Sequence, residues 1–299
     1  MAKPPVAIQN ILRVHSFTAT GEEDLLAAEE PLAIHLGFGS ASERVQRELA
    51  VTMRTPGHDL ELVLGFLLTE GIIERLEDVR SIRHCTQLEP GLGENLVRVE
   101  LEEHVQPSPV LLKRQTFLSS SCGICGKTSI DAVRCLRPPA PNPASWQIPA
   151  SQLHALSTAV SAQQRAFSAT GGMHAAALFN TAGELLALRE DIGRHNAVDK
   201  IIGNALTQSQ LPLSQHLLFL SGRASFELIQ KAALAGIPLV CAVGAPSSLA
   251  VEAAQQFEIT LAGFLRNNRF NLYSHPNRIL LESQPPTTPT TSASSLAAP

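Results

Sequence analysis

Apolar residues recur along this chain with two periods, and the change between them separates two units. Leu32, Ile34 and Leu36 alternate onto one face and predict a strand over 30–36. Val51 to Thr55 predicts another, stopped by Pro56-Gly57. The period then lengthens: Leu60, Val63, Leu64, Leu67 and Leu68 form one stripe of a helix over 59–70, with Gly71 placed to end it. Strands are also expected at 79–85 and 96–101. Past Glu102 the periodicity fades, until Ile130, Val133 and Leu136 mark a short helix. Residues 22–137 therefore read as a small α+β domain. Residues 1–21 hold no sustained period and are expected to be flexible.

Five prolines between Pro138 and Pro149 mark a linker over 138–150. A helix is predicted over 151–167, on Leu153, Leu156, Val160 and Ala166. Strands at 175–179 and 184–188 are joined by Asn180-Thr181-Ala182-Gly183, a hairpin signal. Beyond it, helices at 196–206, 226–235 and 248–256 alternate with strands at 217–220, 239–243 and 260–265. A short strand follows at 270–273. Such alternation predicts an α/β domain over 151–282, with a largely parallel sheet and helices on its faces. The Pro/Thr/Ser/Ala stretch 283–299 carries no charge and is expected to be disordered.

Composition narrows the partners. A net charge of −4 gives no polybasic footprint, which argues against a nucleic acid polymer but leaves a nucleotide-sized ligand open. No apolar run approaches the ~18–20 residues that span a bilayer, so no membrane partner is expected. Met1 to Pro5 does not read as a secretory signal. The five cysteines (Cys85, Cys122, Cys125, Cys135, Cys241) do not form a disulfide framework. A cytoplasmic setting is expected.

Two of those cysteines carry the strongest chemical signal. Cys122 and Cys125 sit in Ser121-Cys122-Gly123-Ile124-Cys125-Gly126-Lys127, a segment with one large apolar side chain and too little to pack a core. The glycines bring backbone N–H groups near the thiols, and Lys127 favours thiolate. Zinc usually needs four ligands and only one such pair is present, so no metal site is expected. A thioredoxin-like motif belongs between a strand and a helix, and a phosphate-binding loop needs glycine where Ser121 stands. A loop presenting thiolates is left, suited to accepting a persulfide sulfur and passing it on.

The predicted strands of the second unit run into small or polar residues, and in open α/β sheets ligands bind beyond such carboxyl ends. Arg194, Ser221, Arg223 and Arg266 gather on that rim beside helix starts, an arrangement suited to phosphate. His174 follows Gly171-Gly172, where backbone can approach a ligand. Asp191 and His195, across a helix start, read equally as an acid–base pair or as a cap beside a structural imidazole.

These blocks, with 170–178, Arg189 to Lys200, 221–231 and Ala245-Pro246-Ser247-Ser248-Leu249-Ala250, resemble the FdhD family over roughly 29–278. The resemblance implies a sulfurtransferase that takes persulfide sulfur from a cysteine desulfurase. The sulfur passes to the molybdenum bis(guanine dinucleotide) cofactor of formate dehydrogenase, with molybdenum or tungsten as the metal. Cys122 then matches the persulfide-bearing cysteine and Cys125 the second thiol. Phe264, Leu265, Arg266, Asn267, Asn268 and Arg269 match the cofactor-binding region, joined by His174, Arg194, Ser221 and Arg223 on the rim. A homodimer is implied too. The family also looks like the three-layer α/β/α cytidine-deaminase fold. Here His174-Ala175-Ala176 lacks the glutamate of H-x-E, and Pro246-Ser247-Ser248 lacks the thiolates of P-C-x-x-C, so no zinc is expected. A non-enzymatic chaperone that only holds the cofactor is the alternative.

Overall fold

The computed structural model describes residues 4–85, 93–108, 116–118 and 146–281. Its centre is a six-stranded sheet in the order β10-β9-β11-β12-β13-β14. The strands are β9 (His174–Asn180), β10 (Leu185–Asp191), β11 (His216–Leu220), β12 (Leu239–Ala242), β13 (Thr260–Arg266) and β14 (Arg269–Ser274). β11, β12 and β13 run parallel, while β9 pairs antiparallel with both β10 and β11. Alternate residues of each strand serve opposite faces. Ala175, Ala177, Phe179, Leu217, Phe219, Leu239 and Cys241 pack against Leu153, Leu156 and Val160 of α2 (Ala150–Ser161). Ala176, Leu178, Leu218, Leu220, Val240 and Ala242 meet the other layer: α4 (Arg194–Thr207), α5 (Phe226–Leu234) and α6 (Ser248–Gln256). The fold is α/β, with a sheet between two helical layers.

A second sheet, β5-β6-β3-β4-β7, comprises β3 (Glu30–Phe38), β4 (Val45–Arg54), β5 (Val79–His84), β6 (Leu96–Leu101) and β7 (Thr116–Leu118). Helix α1 (Asp59–Thr69) packs on it and on α4, so one continuous core joins both units. The contact between the helices is backbone on backbone. A Cβ on Gly65 would strike the Asp199 carbonyl, and one on Gly203 the Glu61 carbonyl. Buried polar links flank this contact. Lys231 Nζ meets both Asp199 oxygens at 2.8 and 2.9 Å and Thr69 Oγ1 at 2.8 Å.

Four expectations change. The central sheet is mixed rather than largely parallel, because both outer hairpins and the β9–β11 pair run antiparallel and only β11–β12 and β12–β13 are parallel. Residues 6–27 are not patternless: β1 (Val6–His15) pairs with β2 (Thr18–Ala27) as a ribbon, and the expected boundary at Gly21 falls inside β2. The even-numbered positions of β1 are apolar except for Asn10, which breaks the alternation. The helix expected over 151–167 ends at Ser161, and α3 (Arg165–Thr170) begins anew. The Glu190 carboxylate accepts from the Ala166 and Phe167 N–H groups at 3.0 and 2.8 Å, which fixes the new helix start. Within the expected linker, Ile148–Pro149 forms β8, parallel to β15 (Ile279–Leu280). Cys122, Cys125, the short helix after them and the stretch 283–299 lie outside the described residues.

Candidate functional site

A cavity of about 810 Å3 opens at the carboxyl ends of β11, β12 and β13, within the usual size range for small-ligand sites. Phe219 and Ser221 reach it from the end of β11, Val243 from β12, and Leu265 and Arg266 from β13. β9 runs opposite to β11, so its first residue, His174, arrives at the same end. The Ser221 hydroxyl accepts from the Ala175 N–H at 2.8 Å, tying the two strand ends together. Across the cavity stands one face of α2, with His154, Ser157, Thr158 and Ser161 at helical spacing beside that helix's apolar stripe. Phe167 and Met173 complete an apolar patch beside Gly171 and Gly172.

The hairpin between β13 and β14 forms the rim. Asn267 and Asn268 both take left-handed backbone, φ 53° each, the conformation a two-residue hairpin turn requires and asparagine tolerates. Arg266 and Arg269 are the residues paired across it. Just before, the register slips between Gly263 and Arg266, and Phe264 sits at φ 56° with its N–H donating to the Gly244 carbonyl at 3.1 Å. A bulky residue in that region is unusual and is held there by its surroundings. The bulge breaks the strand alternation, and Leu265 rather than Phe264 lines the cavity.

The cavity's field is set by few groups. Arg266 is exposed at the mouth, and the lining holds no carboxylate among the described residues. Burial, then the neighbouring Arg194 and His195, push the His174 imidazole pKa down, which favours its neutral form. Gly222 permits its close approach, since a Cβ there would lie 3.3 Å from His174 Nδ1.

Of the rim residues expected from sequence, the structure brings His174, Ser221, Leu265, Arg266, Asn267 and Asn268 to this cavity. Phe264, Arg269, Arg194 and Arg223 do not line it. The Asp191–His195 pairing does not form. Asp191 is fully buried and bonds Lys200 Nζ at 2.7 Å, Gly193 N at 2.8 Å, Asn196 Nδ2 at 3.0 Å and Thr55 N at 3.1 Å. His195 instead faces Glu227 across the starts of α4 and α5, Nε2 to Oε2 3.8 Å. The α2 hydroxyls and Phe167 were missed by sequence reasoning. The three-and-four spacing of the hydroxyls is visible in the sequence but looks like an ordinary solvated helix face. Among the described cysteines, Cys241 is buried inside β12, where burial raises its thiol pKa and leaves it unreactive, and Cys85 is half-buried.

Known proteins match this chain over nearly its whole length. The profile described as the FdhD/NarQ family matches residues 27–280. A protein named sulfur carrier protein FdhD from Streptomyces coelicolor is 43% identical over 278 residues, 92% of this chain and 96% of that one. Its namesake from Nocardia farcinica is 48% identical over 271 residues, covering 89% and 93%. The archaeal Sulfurisphaera tokodaii protein of that name is 38% identical, covering 90% and 97%. A crystal structure from Desulfotalea psychrophila, described as a formate dehydrogenase accessory protein, shares the fold with a TM-score of 0.70 at 23% identity, over 93% of this chain and all of that one. This chain belongs to the FdhD/NarQ family.

Proposed function

We propose that this protein carries sulfur from a cysteine desulfurase to the molybdenum bis(guanine dinucleotide) cofactor that formate dehydrogenase requires, in a reducing, cytoplasmic setting. The observation behind this reading is the cavity at the strand ends, with Arg266 at its mouth and no carboxylate in its lining among the described residues, in a family whose members are named sulfur carriers. In this reading Arg266 and the Asn267-Asn268 turn meet the phosphates of one guanine dinucleotide arm. The hydroxyls of Ser157, Thr158 and Ser161 suit its ribose, and the cofactor is the substrate rather than a resident group.

The sulfur chemistry balances on two thiols. The Cys122 thiolate attacks the outer sulfur of the desulfurase persulfide; that S–S bond breaks, the desulfurase thiolate leaves, and a new S–S bond forms on Cys122. Release as sulfide takes up two electrons. The Cys125 thiolate supplies them by attacking the inner sulfur and closing a Cys122–Cys125 disulfide, and the displaced sulfide goes to the metal. Lys127 assists by favouring thiolate.

The test pairs wild-type protein and Cys122→Ala with a desulfurase and sulfur-labelled cysteine. Wild type acquires label on Cys122 and yields active formate dehydrogenase, while the variant does neither. A variant that still took up label and still activated the dehydrogenase would sink the assignment. Full rescue by Cys122→Ser/Cys125→Ser would show a chaperone that only holds the cofactor.

A further inference from the structure

The starts of α4 and α5 hold a cluster of polar atoms without partners. Of nine buried side-chain polar atoms that make no hydrogen bond among the described residues, four sit here: both ring nitrogens of His195, Ser225 Oγ and Glu227 Oε1. His195 is 8% exposed and Glu227 7%. A structural histidine at such depth is ordinarily bonded through at least one nitrogen. Ser225 stands at the N-cap of α5, where serine usually bonds the first turn, yet its side chain caps nothing. Gly193, at the N-cap of α4, has no side chain to offer. Two helix starts with positive dipole ends therefore flank the cluster, a setting that favours an anion.

Glu227 gives the imidazole a direction. Its Oε2 lies 3.8 Å from His195 Nε2, too far for a hydrogen bond in the free protein but near enough to close on a substrate. Burial alone would raise the Glu227 carboxyl, but the His195 imidazole and the residue's own N–H outweigh it and hold the pKa at about 2. The carboxylate keeps the ring proton on Nε2, which leaves the Nδ1 lone pair as a base. The other ionisable groups around it are His174 from β9, Arg194 on the same helix and Asp191 from β10, already paired with Lys200. The cluster does not suit a metal, since no three His, Cys, Asp or Glu side chains converge among the described residues.

The chain brings a thiol within reach. β7 runs parallel to β4, and its last residue, Leu118, pairs with Thr52. Thr52 Oγ1 donates to Asn196 Oδ1 at 3.3 Å, and Asn196 Nδ2 to the Met53 carbonyl at 2.8 Å. One strand spacing, ~4.8 Å, thus separates the end of β7 from the strand that α4 begins against. Cys122 follows Leu118 by four residues, a span of at most about 14 Å. Cys85 follows β5, at the opposite edge of that sheet from β7, and Cys241 faces α2. Resting on the sulfur-carrier reading above, we propose that His195 is the catalytic base that ionises Cys122, with Glu227 as its positioning residue. The Cys122 S–H bond breaks, its electron pair stays on sulfur, and the proton passes to His195 Nδ1. The helix starts stabilise the thiolate, which attacks the desulfurase persulfide. The imidazolium then gives its proton to the departing desulfurase thiolate, and the dyad gains or loses no electrons.

Alkylation by iodoacetamide over about pH 5–10, followed cysteine by cysteine by mass spectrometry, tests this without desulfurase or cofactor. Wild-type Cys122 titrates about one unit or more below the ~8.5 of an ordinary thiol. His195→Gln keeps an N–H where Nε2 stands but puts nothing in place of Nδ1. In that variant the Cys122 rate at about pH 7 falls about 10-fold, with the midpoint back near ~8.5. Glu227→Gln lies between the two, and Glu227→Asp recovers most of the wild-type rate. Cys241, buried in β12, stays unlabelled unless the protein opens, so it reports on the fold of each variant. If His195→Gln exposes Cys241, the two Glu227 variants decide. An unchanged Cys122 midpoint in folded variants, as a cluster that only holds water would give, overturns the proposal. So does a midpoint that moves with Lys127→Met alone. A Cys122 that shows the shift yet takes no label from a desulfurase would remove the sulfur-carrier reading and leave the dyad in place.

Discussion

The seam between α1 and α4 and the cavity beside α2 lie on opposite sides of the central sheet, and both are rich in polar groups. In the seam every charge finds its partners inside the protein. Lys200 answers Asp191 and the Thr55 carbonyl at 2.9 Å, and Lys231 answers Asp199 and Thr69. Arg189 forks onto Glu61 at 2.6 and 2.8 Å, with Asn204 at 3.0 Å. In the cavity, the side chains of Arg266, Asn267 and Asn268 have no hydrogen bond or ion pair among the described residues. Partnered charge in a low-dielectric seam fixes geometry, because removing either member strands the other. Uncommitted polar groups at strand ends are available to a ligand. The difference separates residues that hold the site from residues that use it.

The largest break in this contrast comes from Asp191→Ala. It leaves Lys200 buried and uncompensated and strips acceptors from Gly193, Asn196 and Thr55. Breaking a buried pair from one side costs about 3–5 kcal/mol, and urea denaturation should show a loss of that size. An unchanged midpoint would mean that the seam is not what joins the two units. Arg266→Ala is the converse. Its side chain is exposed and bonds nothing described, so stability should move by less than ~0.5 kcal/mol. Calorimetry with GDP as probe should show affinity falling about 10- to 100-fold, the worth of one charge-assisted bond at ~1.5–3 kcal/mol. Equal GDP binding by both proteins would remove Arg266 from the site.

The same contrast explains what could be read from the sequence. Strands β11 and β12 were expected within a residue of their observed bounds, because strands covered on both faces read as continuous apolar runs. Ser221 and 266–268 were legible as residues of one cavity rim because strand ends in such sheets share one rim, whereas His174 was singled out by the glycines before it and Leu265 by the family resemblance alone. The seam was not legible: Lys200 and Lys231 look like solvated helix charges until α1 closes over them. Nor was the break before α3, since the carboxylate that sets it, Glu190, is 24 residues distant from Ala166. The ribbon escaped notice for another reason, since Asn10 interrupts its alternation and its own chain buries neither face.

The smallest effect is a matter of pH, and it again sets the seam against the cavity. Burial alone would raise the Glu61 carboxyl, but bonds from Arg189, His58 and Asn204 outweigh it and hold the pKa at about 2 against an ordinary 4.5. Between those values the unfolded chain binds a proton that the folded chain does not. Glu61 therefore contributes stability that is complete above 4.5 and is lost as pH falls towards 2, with a slope of at most about 1.4 kcal/mol per pH unit. Glu61→Gln keeps the side chain's shape without the titration, so its stability should decline less steeply through that window, as followed by urea midpoints. His174 is shifted down by burial from 6.5, so protonation in the cavity sets in only below that value. GDP affinity that changed with the Glu61 window in wild type but not in Glu61→Gln would mean that the seam and the cavity are one coupled unit. Independent responses would establish the seam as support alone.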